Sequence, residues 1–203
     1  MNDISAILLA AGRSRRMGPF KPLLPFGDRT VIEVCIAKLQ AAGVSDIVVV
    51  VGHRAEDIRA HLNTLALTFA LNADPDSAMG LSIACGVEAV PASAGGLLIA
   101  LVDHPGVPAE VIKAVVNAWR NGARLVQPEY EGHGGHPVLV DLAYRKELLT
   151  LDPAGGLRSF FGTHRAEVRR VPVRSPYVAR DMDTWEDYQR LHKDVFGLAP
   201  PND

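Results

Sequence analysis

Cysteine is scarce: Cys35 and Cys85 are the only two in 203 residues. That is too few for a disulfide scaffold, and both lie in apolar helical patterns that read as buried, reduced thiols. Long hydrophobic runs are missing as well. The longest, such as residues 47–51 and 97–102, fall far short of the roughly 18 residues that suggest a membrane span. Nor is charge of one sign in excess, with 21 Lys and Arg against 23 Asp and Glu and a formal net charge of −2. No broad cationic surface is therefore available to bind a nucleic-acid backbone through counterion release. The sequence enters an apolar strand within four residues, without a basic n-region or an Ala-x-Ala cleavage pattern. These absences argue against membrane and nucleic-acid roles. They predict a cytoplasmic protein whose nucleotide partner is small.

With 48% hydrophobic and 22% charged residues, the composition is that of an ordinary soluble globular chain. The length suits one large domain spanning residues 1–203, enough to bury a two-sided sheet between helices. Residues 4–10 and Asp46–Val51 are short, nearly continuous apolar runs, as expected of parallel strands covered on both faces. Between them Val31, Ile32, Val34, Cys35, Leu39 and Ala42 recur at helical spacing, with Asp28 and Thr30 as possible caps and Gly43 as a stop. That is a βαβ unit. The alternation continues through a helix at 55–65, a strand at 68–72, a helix at 81–89 and a strand at 97–103. A helix then runs from Pro108 to about Asn121, followed by strands at 124–127, 138–140 and 166–173 and a closing helix at 184–195. The expected fold is α/β, a single three-layer Rossmann-like domain with a mostly parallel, mixed central sheet.

In such sheets ligands sit beyond the carboxyl ends of the strands. Four features fall there: the 12–18 loop, the 79–82 turn, Asp103-His104-Pro105 and the 132–137 turn. The first is the strongest. Ala10, Ala11 and Gly12 are small enough for backbone N–H groups to approach an anion, and Arg13, Arg15, Arg16 and Lys21 add charge. Four cations on a short loop repel one another unless an anion answers them, which favours phosphate binding over a turn with solvated arginines. The spacing matches neither the standard P-loop nor Gly-x-Gly-x-x-Gly.

The run Leu-Ala-Ala-Gly-x-Ser-x-Arg-Met-Gly-x-x-Lys-x-Leu-Leu-Pro-x-Gly, from Leu9 to Gly27, resembles the signature loop of the MobA-like NTP transferases, in particular the molybdenum cofactor cytidylyltransferase branch. Later motifs appear in that family's order, so the resemblance covers nearly the whole chain. It implies a GT-A-like fold and nucleotide binding by Leu9, Ala10, Ala11, Gly12, Arg16 and Lys21.

Asp103, closing an apolar run, is placed to hold Mg²⁺ while nucleotide phosphates supply other ligands; capping the next turn is the plainer role. The family carries its Mg²⁺-binding Asp at this strand end, with Gln or Met where His104 stands. Arg16, Lys21 and Asp103 are thus the candidate catalytic residues. Asp181-Met182-Asp183-Thr184-Trp185 resembles the family's Asp-x-Asp-Thr-Pro, which makes Asp183 the second expected metal ligand and Asp181 the weaker choice; Asp183 or Thr184 as a helix cap is the alternative. Ser82 is a nucleotide-binding candidate from its matching turn, or else an ordinary cap.

His133 and His136 at i, i+3 would suggest zinc, but no third and fourth ligand stands out. By resemblance to Gly-x-x-Gly-His-Pro, His136 faces the acceptor, and Arg158 contacts its phosphate, although Pro153-Ala154 breaks the family's Gly-Asp-x-Gly there. The resemblance implies transfer from CTP, or next GTP, to molybdopterin or its molybdenum form, with a molybdoenzyme or its chaperone as a protein partner. A sugar-phosphate or polyol-phosphate nucleotidyltransferase and a non-catalytic nucleotide-binding module are the rivals.

Overall fold

The computed structural model describes residues 3–74 and 76–201. In chain order it contains β1 (Asp3–Ala10), the short strands β2 (Pro25–Phe26) and β3 (Arg29–Thr30), α1 (Val31–Ala41), β4 (Asp46–Val51), α2 (Ala55–His61), β5 (Thr68–Leu71) and α3 (Met79–Ala89). There follow β6 (Ala94–Leu101), α4 (Ala109–Arg120), β7 (Leu125–Tyr130), β8 (His133–Gly134), β9 (Val138–Asp141), α5 (Arg145–Leu149), α6 (Gly156–Thr163), β10 (Val168–Pro172) and α7 (Trp185–Phe196).

The main sheet runs β10-β7-β9-β6-β1-β4-β5, with β8 added to β7. It is mixed: β9 is antiparallel to both neighbours, and β8 to β7, while the remaining pairs are parallel. β1 lies inside it, between β6 and β4, and alternates in the way a doubly covered strand must. Ala6, Leu8 and Ala10 join one apolar cluster with residues of α1, α2, α4 and α7. Ile7 and Leu9 join a second with residues of α3, α5 and α6 on the opposite face. Helices on both faces make the three layers that the alternating pattern predicts.

The sequence pattern misplaces several element ends. β6 starts at Ala94 and stops at Leu101, so Asp103 lies in the loop two residues past the strand. Pairing of Ile4 with Gly96 carries the strand through its glycines, and a Cβ on Gly96 would stand 2.9 Å from the Trp119 ring, so the bare backbone there makes room for α4. β7 continues through Pro128 because its pairing with β9 ends at Val126, beyond which a proline interrupts no bond of that ladder. The 55–65 helix ends at His61. The helices α5 and α6 are too short for a periodicity to show.

Two capping questions are also settled. Thr30 and Thr184 each form a capping box, with Glu33 and Asp187 respectively, so neither Asp28 nor Asp183 is the cap. Cys35 is buried, and burial pushes its thiol up to about 12; Cys85 is only half-buried, contrary to the sequence reading. Gly86 explains how α3 reaches the strand ends. A Cβ there would lie 2.9 Å from methyls of both Ile7 and Val50, so its absence lets the helix lie flat on β1 and β4. No described helix is long and apolar enough to cross a membrane.

Candidate functional site

A cleft of about 380 Å³ opens beyond the carboxyl ends of the central strands. Its floor is the end of β1, Leu9 to Gly12; Asn72, Ser77, Met79 and Ser82 form one wall, and Lys21, Asp103 and Asp183 the other. That volume suits a small organic ligand. Every nucleotide-binding, catalytic and metal residue read from the sequence lines it.

The loop after β1 is held by its own backbone. The Ser14 carbonyl accepts from the N–H groups of Met17 and Gly18, and Ser14 Oγ accepts from the Lys21 N–H. Gly18, at φ +86°, takes the left-handed turn that lets the chain double back. Buried Met17 anchors the loop while Arg15 and Arg16 just before it stay exposed. Nothing lies within 4 Å of a Cβ built on Gly12, so the floor is open to a ligand where that side chain is missing.

The cations are answered, but by the protein. Arg13 and Arg15 both pair with Asp76, at 3.1 and 2.5 Å, and Arg16 pairs with Asp183. Lys21, only 7% exposed, holds its ammonium 2.9 Å from Asp183 Oδ1 and 3.8 Å from Asp103 Oδ2. Contrary to the expectation that only a bound anion relieves the four clustered cations, Asp76 and Asp183 do so here. The arginine pairs are largely exposed and worth about 0–1 kcal/mol each, weak enough for a triphosphate to displace them.

Asp103 does not cap a turn. Its Oδ1 is sealed from solvent and has no hydrogen-bond partner, with His104 Nε2 at 3.8 Å, too far to bond. A buried carboxylate oxygen left unanswered is costly unless something occupies it, and a hard divalent cation suits it. For Asp183, partial burial pushes the carboxyl up, but the hydrogen bond and charge of Lys21 and the charge of Arg16 outweigh it and hold the group below its ordinary value. Asp181 is pushed up, first by burial and then by the charges of Asp183 and Asp103. Among the described residues no three His, Cys, Asp or Glu side chains enclose a metal position. The chain thus offers an ion two carboxylates rather than a closed cage. This fits Mg²⁺ or Mn²⁺ completed by substrate phosphates.

Ser82 is not a helix cap. α3 begins at Met79 after Ala78, and Ser82 sits in the first turn, buried, accepting a hydrogen bond from Asn72. The acceptor-side residues are not brought into the cleft. His136 packs its ring against His104, and the two line a separate small recess with Cys35 and Lys38. Burial, then the charge of His104, pushes it down to about 4, so it is neutral. Arg158 is exposed on α6 and does not line the cleft. His133 bonds the Glu131 carbonyl and is exposed, which leaves no zinc pair with His136. The sequence reading missed Asp76 and Asn72. Asn72, a polar residue ending an apolar strand run, carried the signal that Asp103 did.

A strand-end cation loop that meets two carboxylates inside one cleft is an arrangement for handling nucleoside triphosphates with a divalent ion. The chain belongs to the family of the MobA-like NTP transferase domain, whose model matches residues 6–168. It is 28% identical to the nicotine blue oxidoreductase of Paenarthrobacter nicotinovorans, over 93% of this chain and 96% of that one. It is also 28% identical to the molybdenum cofactor cytidylyltransferase of Escherichia coli K12, over 93% and 95%. With the bifunctional protein GlmU of Geobacter sulfurreducens it shares 33% identity over 58% of this chain but only 25% of that protein. Among solved structures, Rv0371c of Mycobacterium tuberculosis H37Rv superposes with a TM-score of 0.85 at 26% identity, covering 95% of this chain and 98% of that one, and has also been solved in complex with manganese.

Proposed function

We propose that residues 1–203 form one nucleotidyltransferase domain that moves a nucleotidyl group, from CTP first and GTP next, onto the phosphate of molybdopterin or its molybdenum form, with release of pyrophosphate. The observation that carries the transferase chemistry is the unanswered oxygen of Asp103 in the cleft that Lys21 and Arg16 also line. The choice of acceptor rests on likeness to the cytidylyltransferase.

In this reading Leu9, Ala10, Ala11, Gly12 and Ser82 hold base and ribose. Arg16 and Lys21 exchange their aspartates for triphosphate oxygens and neutralise the charge that grows as pyrophosphate leaves. Asp103 and Asp183 hold the divalent ion, which when bound supplies Lewis-acid polarisation of the phosphate. No side-chain nucleophile is required, because the acceptor phosphate attacks in line and positioning supplies most of the rate. His136 and Arg158 reach the acceptor only if the 132–137 and 151–158 segments close over it. The protein partner would be the molybdoenzyme that takes the product, or its chaperone.

A sugar-phosphate or polyol-phosphate acceptor is the second reading, supported by the match to GlmU. The likeness to nicotine blue oxidoreductase raises a third, redox chemistry on a dye, which the charge pattern of the cleft does not favour. A pyrophosphate-release assay with CTP, GTP, UTP and ATP, each with molybdopterin or a sugar phosphate, separates them. Release with molybdopterin and CTP supports the proposal. Release only with a sugar phosphate, or dye turnover without release, replaces it.

A further inference from the structure

Asn72 directly follows β5 with 2% of its surface exposed, and its backbone N–H and both side-chain polar atoms have partners. Its backbone N–H donates to the Val51 carbonyl at 2.8 Å. Its side-chain oxygen accepts the Asp74 N–H at 3.0 Å, and its amide nitrogen donates to both Ser77 Oγ and Ser82 Oγ, at 2.9 Å each. The amide cannot be turned round. The Asp74 N–H requires an oxygen, and Ser77 has already given its only proton to the Asp74 carbonyl at 2.6 Å.

A serine has one proton. Ser77's is used within its loop, whereas Ser82 accepts from Asn72 and no described residue accepts from it. Ser82 lines the cleft with the end of β1, so its unused donor is available to a ligand while a buried amide, which can only donate to it, keeps its oxygen in place. We infer that Asn72 is a positioning residue that holds Ser82 as a hydrogen-bond donor toward the nucleobase. The cleft then favours bases with an exocyclic carbonyl, which are cytosine, uracil and guanine, over adenine, whose exocyclic group is itself a donor. This rests on reading the cleft as a nucleotide site and names the ligand class of its base wall.

The test is calorimetric titration of the four Mg-nucleoside triphosphates, and of Mg-tripolyphosphate, which lacks a base. Wild type is compared with S82A, S82T, N72A and the double variant S82A/N72A. The expected result is preference for carbonyl-bearing bases over ATP, lost about five- to tenfold in S82A and in N72A, as one neutral hydrogen bond allows. The double variant loses no more than the worse single one, because both act through one bond. S82T keeps the affinity, and tripolyphosphate binds all variants alike. Should N72A not fold, loss in S82A with retention in S82T carries the test.

Equal weakening of tripolyphosphate, or multiplicative losses in the double variant, would overturn the inference by showing that Asn72 only braces the loop. Equal binding of ATP in wild type would overturn it too. In both cases the nucleotide reading survives. Wild type that binds tripolyphosphate but no nucleotide overturns both.

Discussion

Two charged clusters lie at opposite ends of the same sheet and follow different rules. Near the amino ends of β6 and β7, His164 holds Glu147 at 2.8 Å and Glu167 at 3.2 Å, while Tyr144 donates to Glu167 and lies under Arg124. Both imidazole nitrogens are bonded to protein, and none of these residues lines the cleft. At the carboxyl ends, Asp103 keeps a buried oxygen without a partner, and the cations are paired to carboxylates that a phosphate can replace. Charge that is fully answered within the chain ties α5 and α6 to β10. Charge left open or exchangeable marks where a ligand belongs.

The sharpest way to break this contrast is to remove the cleft carboxylates, the open one of Asp103 and the exchangeable one of Asp183. Asp103→Asn and Asp183→Asn should each lower turnover by about 100-fold or more without lowering the melting temperature. The double variant should lose little beyond the worse single one, since a shared ion is lost once. Multiplicative losses measured at saturating Mg²⁺ would assign the two residues separate jobs.

Lys21→Met should cut turnover about 10²–10³-fold. It should also do the opposite to the metal. With the ammonium gone from between Asp103 and Asp183, Mn²⁺ binding in the absence of nucleotide should tighten severalfold by electron paramagnetic resonance titration. Weaker Mn²⁺ binding would mean that Lys21 shapes the metal site rather than competing for it.

At the other cluster, His164→Ala should leave turnover intact and lower the melting temperature by about 2–4 °C, the shift expected from ~1 kcal/mol in a chain of this size. Hydrogen bonds to Glu147 raise the His164 value above 6.5, with Glu167 adding to it. Its ionic contribution is therefore fully present below about pH 6.5 and is lost as pH rises through the raised folded value. A melting-temperature difference between wild type and variant that grows with pH would contradict this. The smallest effect is expected from Asp76→Ala, which frees Arg13 and Arg15. Stability should hardly change, and tripolyphosphate should bind a few-fold more tightly by calorimetry.

The contrast also explains what the sequence revealed. β1, β4 and α1 were legible because continuous apolar runs and 3.6-residue spacing follow directly from burial on both faces. Lys21 was legible because it belongs to a loop dense in positive charge, and Asp103 because a carboxylate followed an apolar strand run. The role of Asp76 was not, because its partners Arg13 and Arg15 are some 60 positions away and only the folded loops bring them together. The same holds for His164, whose partner Glu147 lies on a helix too short to show a period. Gly96 and Pro128 misled the strand ends because tertiary pairing overrode local preference.

The central claim is that the open carboxylate serves nucleotidyl transfer. Pyrophosphate release from Mg-CTP in the presence of molybdopterin, wild type against Asp103→Asn, tests it most directly. The account predicts release that is stoichiometric with acceptor consumed in wild type and reduced about 100-fold or more in a variant that melts at the same temperature. Release that is equal in the two proteins, or absent from wild type with every nucleoside triphosphate and phosphorylated acceptor tried, would contradict it.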